Sequence, residues 1–558
     1  MDTAYVHTVL QAWAVLSVLY TLVAVKYSHL MKNNPGFFTI NFTEFGWLLL
    51  IVLFAPVITV FMLVLLAYRQ LVRVLIKLKH GKDFGGLLNA ADAVHVLETS
   101  RESKLGVLFV LKYKKSNPTS FYQTFENAVY STSLIICPKT RAIFQKSMGY
   151  FYYLKNQVTL SECIHKITVT NDGKKVTDKS TFMQFLHERE DTPLPKDNAG
   201  LWDVFIGTNP IQWKSENTDE DADFYPILFR YHHSLFDGYH LLKTIFNNFS
   251  DERLPKQVTQ QGGLPTVRCT MSAWIRSYIQ HLGIIVITPW RLFMLTKTLA
   301  KDCNMLCGKK LRNEKLFGFN IEETPYYVDS IKTAKKKVPG TSFTDVVLTA
   351  ISMALTKYFN ASGDVPSHIT VATPEVPHAT NLLQIATTRN TKKQSVCENK
   401  VKFSLRKLPI GKQHMSADKK LELISQQGSY FKNPTAVEAD YTVTHTLFAL
   451  LPVPMLVRLF NTARYTAIVT NLPGPRATSF CNGHSLQDIV AWSISKETTR
   501  TGISFLISTY DNRLGVTMTA DRAIISRYED IDSIVKNIYI AIDDLTNSIN
   551  HNDIAKAG

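Results

Sequence analysis

The chain is poor in cysteine and in charge. Seven cysteines are scattered among 558 residues, from Cys137 to Cys481. Their spacing is unpaired and their number odd, so no disulfide framework organises the fold. Cys303 and Cys307, the one close pair, read as helix-face thiols in a reducing compartment. Charged residues make up 19% against 45% hydrophobic, a balance that excludes a disordered chain. Internal repeats and long low-complexity tracts are missing, which excludes collagen and coiled coil. There is no G-x-S-x-G elbow, no zinc-ligand spacing and no basic helix with interleaved aromatics, so nothing points to a serine hydrolase, a zinc module or a nucleic-acid binder. Positive charge is in excess: 62 Lys+Arg against 46 Asp+Glu, a formal net charge of +16. By itself that fits nucleic acid, an anionic membrane surface or a polyanionic small ligand. The length calls for two lobes, or two domains plus an anchor.

The first eighty residues read as a membrane anchor. Residues 45–68 carry no charge over 24 positions, and a helix of that length rises roughly 36 Å, enough for a hydrocarbon core of about 30 Å. Pro56 kinks such a helix without forbidding a span. An earlier apolar run at about 4–25 lacks the basic start and the small-residue cleavage site of a signal peptide. A helical hairpin with a loop at 26–44 is therefore expected. Arg69, Arg73, Lys77, Lys79 and Lys82 follow the second span, whereas the loop offers only Lys26 and Lys32. The positive-inside rule then puts residues 69–558 on the cytosolic side. Arg69, Arg73 and Lys77 form one helical stripe, expected to lie against anionic headgroups. The Asn41-Phe42-Thr43 sequon almost touches the second span and is expected to be unmodified.

Short strand-like and helix-like runs alternate from about residue 84, the pattern of a mixed α/β protein. Residues 224–233 read as a strand with Ile227, Phe229, Tyr231 and His233 on one face. Asp237-Gly238 marks a turn, and 239–247 a short helix. The acidic run 216–223 is a solvated loop and 255–265 a linker. The apolar stretches 282–299 and 448–460 are broken by prolines and are either core helices or lipid-facing segments. A helix is expected over 342–358 and strands over 465–472, 502–510 and 513–519, the last two joined at Asp511-Asn512 as a hairpin. A terminal amphipathic helix uses Ile531, Ile534, Val535, Ile538, Ile542 and Leu545.

The most informative segment is His232-His233-Ser234-Leu235-Phe236-Asp237-Gly238. As a metal site it is poor, because adjacent histidines on a strand point to opposite faces and no further ligand cluster stands at suitable spacing. As buried structural histidines the pair is ordinary. As a general base, an imidazole at a strand end can face a cleft and be neutral yet basic at cytosolic pH. Without an obvious protein nucleophile, such a base would activate a hydroxyl or thiol of the substrate.

H-H-x-x-x-D-G resembles the signature of the acyltransferase superfamily that includes chloramphenicol acetyltransferase, plant BAHD enzymes and peptide-synthetase condensation domains. Two further segments make the chain similar to the wax ester synthase/diacylglycerol acyltransferase family. In 341–358, Asp345 matches the family's Asn-Asp pair while Thr344 replaces the Asn. Thr470-Asn471-Leu472-Pro473-Gly474-Pro475 resembles its Ser-Asn-Val-Pro-Gly-Pro motif. The resemblance runs over roughly residues 85–550, and the two spans are additional to the shorter bacterial pattern.

The resemblance implies an α/β fold of two chloramphenicol-acetyltransferase-like lobes with a central tunnel, preceded here by the transmembrane hairpin. The expected organisation is an anchor at 1–82, with the basic juxtamembrane stretch at 69–82, an N-terminal lobe at 83–254, a linker or crossover at 255–320, and a C-terminal lobe at 321–558. It implies His233 as general base, His232 as its support, and Asp237 holding the loop through a basic residue. Gly238, Asp345, Asn471, Pro473, Gly474 and Pro475 are implied motif residues, with Thr470 and Asn471 as oxyanion candidates. Acyl-CoA is the implied co-substrate, with no other cofactor and no metal. Lys335-Lys336-Lys337 and Lys392-Lys393 are candidates for its phosphates, or solvated faces. The partners implied are a long-chain alcohol or diacylglycerol and the lipid bilayer, in the endoplasmic reticulum, and no nucleic acid. Two alternatives stand beside this activity: acylation of a sterol or other hydroxylated acceptor, and a non-catalytic lipid-binding or tethering protein.

Overall fold

In the computed structural model the described residues are 3–30, 42–98, 103–116, 119–136, 138–194, 200–214, 222–251, 302–375, 402–411, 415–429, 448–461, 464–481, 483–492 and 497–557, with Pro289, Phe293, Asn399 and His445 as single positions. The linker at 255–265, Lys392-Lys393, Asn41 of the sequon and most of 282–299 lie outside them.

The apolar N-terminus folds as α1 (Thr3–Leu30), α2 (Phe42–Leu53) and α3 (Ala55–His80). The span expected as one helix over 45–68 is thus divided. Pro56 has no N–H to give to the preceding turn, and the chain turns at Phe54 before α3 begins. Helix α1 packs on α2, where the Trp13 indole donates to the Leu53 carbonyl at 3.2 Å. Leu48 and Val52 of α2 are buried together with Phe293, so one residue of the 282–299 stretch packs on the N-terminal helices. Both α1 and α3 are long and apolar enough to cross a bilayer.

The last turns of α3 belong to the soluble body. Val72 and Ile76 bury against Tyr150, Tyr152 and Leu154 of a three-stranded sheet ordered β1-β4-β3, with β1 at Phe84–Leu87, β3 at Ile143–Ser147 and β4 at Tyr150–Leu154. Arg69 does not join Arg73 and Lys77 at the surface. Its guanidinium donates to the Leu88 carbonyl at 2.9 Å and sits 5.3 Å from the Tyr150 ring centre. The i, i+4 spacing placed it on the right helix, but its own face turns inward.

Two six-stranded sheets form the body. At the centre of the first lies β2 (Lys104–Lys114), an apolar run buried on both faces. Val107, Phe109 and Leu111 point to one core, Leu108 and Val110 to the other. Its antiparallel neighbour is β7 (Ala222–His232), and β6 (Trp202–Gly207) and β5 (Ile164–Ile167) continue the sheet. One face carries α4 (Ala90–Val96), α5 (Phe121–Ile136) and α7 (Gly238–Phe249); the other carries α6 (Lys179–Glu190).

The second sheet runs β10-β9-β11-β14-β15-β8: Lys402–Pro409, His368–Glu375, Ala467–Pro473, Ile503–Tyr510, Arg513–Asp521 and Lys315–Ile321. Helices Tyr326–Ala334, Phe343–Ser362, Ala417–Ser429 and Tyr528–Ala557 supply its core, where Ile531, Ile534, Val535, Ile538, Ile542 and Leu545 are all buried. Asp511 and Asn512 both have positive φ, the requirement of the tight hairpin turn expected there.

The lobes are not contiguous in sequence as expected. Strand β13 (His484–Trp492) leaves the C-terminal half and pairs with β2, carrying β12 (Ser479–Phe480) with it. Strand β8 starts at Lys315, inside the stretch expected as linker, and pairs with β15. Each sheet thereby gains an antiparallel partner from distant sequence, a pairing that local pattern does not encode.

Candidate active site

Strand β7 ends at His232, and His233 opens the turn that follows. The backbone of His233 is held on both sides. Its N–H donates to the Ser103 carbonyl at 2.8 Å, and its carbonyl accepts from the Asn399 amide at 2.8 Å. Its ring lies flat on that of His95, with centroids 3.7 Å apart and planes 6° from parallel.

His95 comes from α4, whose start is capped by Asn89 accepting from the Asp92 N–H at 2.7 Å. Asp92 and His95 stand three residues apart on one helical face. Asp92 is wholly buried. It pairs with Lys139 and accepts from the Asn399 amide at 2.7 Å. Asn399 therefore bridges α4 and the carbonyl of His233. None of Asp92, His95 and Asn399 was signalled by motif. The only sequence hint was a polar pair on a short helix otherwise built of Ala and Val.

His232 points the other way and is 1% exposed. Its Nδ1 lies 2.6 Å from the Ser234 hydroxyl and accepts from the Ser234 N–H at 3.3 Å. An Nδ1 that accepts leaves the ring proton on Nε2. Asp237 caps α7: its carboxylate accepts from the His240 N–H at 2.8 Å, and the His240 ring Nδ1 sits 2.8 Å from the other oxygen. His240, one turn into the helix, thus contacts both oxygens of this carboxylate. An N-cap Asp with a His three residues on was the available signal.

The two motif segments meet across the lobes. A Cβ at Gly238 would stand 3.2 Å from a Leu472 methyl, so the glycine admits the second motif against the first. One residue earlier, the Asn471 amide donates to the Thr344 hydroxyl at 3.2 Å. Thr344, where the resemblance implied Asn, is thereby joined to the strand carrying the oxyanion candidates Thr470 and Asn471, both half-buried. Gly474 donates to the Thr509 hydroxyl at 3.1 Å. A side chain there would meet the Thr509 carbonyl oxygen at 1.9 Å. Pro473 is exposed, and the Pro475 carbonyl accepts from the Asp511 N–H at 3.0 Å. Asp345 closes a capping box with Ser342 at the start of its helix and pairs with buried Arg406.

A layer of buried charge lies beside the histidines. Lys104, opposite His232 in the sheet, donates to the carbonyls of Glu190 at 2.6 Å and Thr192 at 2.7 Å, so a cation closes the C-terminus of α6. Burial pulls its ammonium down to about 7, against the raising effect of Glu190. Burial pushes the Glu190 carboxyl up, but Lys104, Lys315 and Arg230 outweigh it and leave it lowered. Arg230 pairs with Asp203 in the same layer.

Of the lysines considered for CoA, Lys337 is half-buried, pairs with Asp418 at 3.6 Å and reaches the Leu545 carbonyl; Lys335 and Lys336 are exposed. A cavity of about 330 Å³ opens one turn beyond His95, lined by Leu97, Glu98, Asn461, Arg464, Glu497, Thr498 and Arg500. Among the described residues no three His, Cys, Asp or Glu side chains are grouped to hold a metal ion.

Two lobes joined by an exchanged strand, with H-H-x-x-x-D-G at their junction, define the fold of CoA-dependent acyltransferases and condensation domains. Solved structures share it. The wax ester synthase/diacylglycerol acyltransferase from Marinobacter aquaeolei VT8 is 14% identical at a TM-score of 0.51, over 83% of this chain and all of the other (100%). The TRI3 trichothecene 15-O-acetyltransferase from Fusarium sporotrichioides is 12% identical at 0.53, over 82% and 94%. The first condensation domain of the CDA synthetase is 10% identical at 0.52, over 84% and 97%. At such identities these likenesses establish the fold. Residues 397–545 match the WS/DGAT C-terminal domain. No curated protein matches the chain by sequence.

Proposed function

We propose that the protein is a membrane-bound, acyl-CoA-dependent O-acyltransferase that esterifies a long-chain alcohol, diacylglycerol or both. The observation that carries this reading is the placement of His233, its backbone held by Ser103 and Asn399 and its ring stacked on His95, at the junction where Gly238 meets Leu472.

The His233 imidazole removes the proton of the acceptor hydroxyl as its oxygen bonds to the thioester carbonyl carbon. The carbonyl oxygen then carries the negative charge, for which Thr470 and Asn471 are the proposed donors. The carbon–sulfur bond breaks, the thiolate takes the proton from the imidazolium, and ester and free CoA leave. Asp237 and His240 hold the turn, and His232 with Ser234 sets the strand end, without touching substrate.

The two apolar helices α1 and α3 support a bilayer location. We place the catalytic lobes on the cytosolic side, on the positive-inside argument, and the protein in the endoplasmic reticulum.

Purified full-length protein assayed with long-chain acyl-CoA and either fatty alcohol or diacylglycerol should form ester, and His233→Ala should not. No ester above the His233→Ala background in either assay would overturn the reading. A panel of other hydroxylated acceptors, sterols included, at fixed acyl-CoA decides the acceptor class.

A further inference from the structure

Helix α3 is unbroken from Ala55 to His80, so its faces can be followed from one end to the other. At three to four residues per turn, Val57, Val60, Val64, Ala67, Leu71, Val74, Leu75 and Leu78 fall on one stripe. All are exposed, Leu71 at 54% and Leu78 at 77%. A second stripe, on the opposite side of the buried Val72–Ile76 line, runs through Thr59, Leu63, Leu66, Gln70, Arg73 and Lys77. It is also exposed, but it changes from apolar to polar at Gln70. One flank of the helix therefore stops being apolar at Leu66 and the other at Leu78. Twelve residues separate the two, about 18 Å along the axis.

A helix leaving a bilayer along its normal would lose its apolar character at one level all round. An offset of this size across a cylinder about 10 Å wide requires an oblique exit, with the Leu71–Leu78 side down. The body next to that flank is apolar too. Tyr68 donates to the Met148 carbonyl at 3.2 Å, at the tip of the β3–β4 turn, and the Met148 side chain is exposed. Gly149 accepts from the Val453 N–H at 2.8 Å, which brings exposed Met455 beside it. Arg73 and Lys77, on the far flank, are placed to meet anionic headgroups above the apolar layer.

We propose that the Leu71–Leu78 flank of α3, with Met148 and Met455, forms a membrane-docking face that lays the catalytic body against a phospholipid bilayer, Leu71, Val74, Leu75 and Leu78 lying at the level of the acyl chains. This rests on the reading of α3 as a membrane helix. The face ends at β1, directly before Asn89 and α4. A body held this way keeps the His95–His233 layer a fixed, short distance from the membrane, where water-insoluble acceptors reside.

The test uses the full-length protein in vesicles of phosphatidylcholine and phosphatidylserine that contain a phosphatidylcholine with a diazirine in mid-chain. After irradiation, lipid adducts are located residue by residue by mass spectrometry. Adducts are expected on Leu71, Leu75, Leu78 and Met148, together with residues 57–66, while Gln70, Arg73 and Lys77 stay bare. Adducts that stop at Leu66 on both flanks, or that cover Lys77 as fully as Leu78, would overturn the docking face. Absence of adducts from 57–66 as well would instead overturn the membrane reading of α3 itself.

Discussion

The ring of His95 lies 3.7 Å from that of His233 and parallel to it within 6°. This pairing limits rotation of the proposed base about its own side chain, and it joins the base to a helix at the very start of the N-terminal lobe. Under the proposed mechanism His95 acts as a positioning residue. Replacing it by Ala should lower kcat about a hundredfold, the scale of a 1 Å misplacement, with little change in KM. His95→Phe keeps a flat ring in the same place and should recover most of the loss. Steady-state kinetics of the two variants beside wild type decide it: a purely space-filling role would move stability in both and leave the kcat of the folded protein untouched.

Gly238 and Gly474 predict different costs. At Gly474 a new Cβ would collide with a backbone oxygen, whereas at Gly238 it would press on the flexible end of Leu472. Gly474→Ala should destabilise by about 1–3 kcal/mol, the ordinary cost of overpacking, read as a fall in thermal midpoint. Gly238→Ala should cost less stability and more activity, and Leu472→Ala in the same chain should relieve part of it.

Arg406 and Asp345 form a buried ion pair. Arg406→Leu would leave the Asp345 carboxylate without that cation, at a cost of about 3–5 kcal/mol. If Asp345 serves architecture, activity per folded molecule at low temperature should be unchanged while the thermal midpoint drops. A selective loss of kcat with the midpoint intact would assign Asp345 to chemistry instead.

Glu190 makes stability depend on pH. Its folded pKa is lowered from the ordinary value of 4.5 by the surrounding cations. A carboxyl lowered on folding contributes stability that is present above its unfolded pKa and is lost as pH falls through the folded one. Thermal midpoints should therefore decline from pH 5 downward, and Glu190→Gln should flatten that decline while lowering the midpoint at pH 7.

The residues that announce the chemistry were legible because they are local. His232 to Gly238 is a strand end, a turn and a helix cap in seven consecutive residues, and each step carries its own sequence sign. The terminal helix and the Asp511-Asn512 hairpin were legible for the same reason: their apolar period and turn residues are set within a few positions. The partners of His233 were not. Asn399 lies 166 residues away, and Ser103 stands just ahead of β2, which no motif marked.

By itself the sequence determined the apolar N-terminal helices, the alternation of strands and helices, and the motif whose spacing sets a histidine beside a capped helix. Those depend on periodicity and composition, which neighbouring residues express. Only the tertiary structure decided that β13 completes the first sheet, that Arg69 docks on Tyr150 rather than on lipid, that His240 holds Asp237, and that His95 lies on His233. Strand pairing and ring stacking form between surfaces brought together when the two cores are buried. The free energy that selects them comes from desolvating those surfaces jointly, and no short stretch of either partner records it.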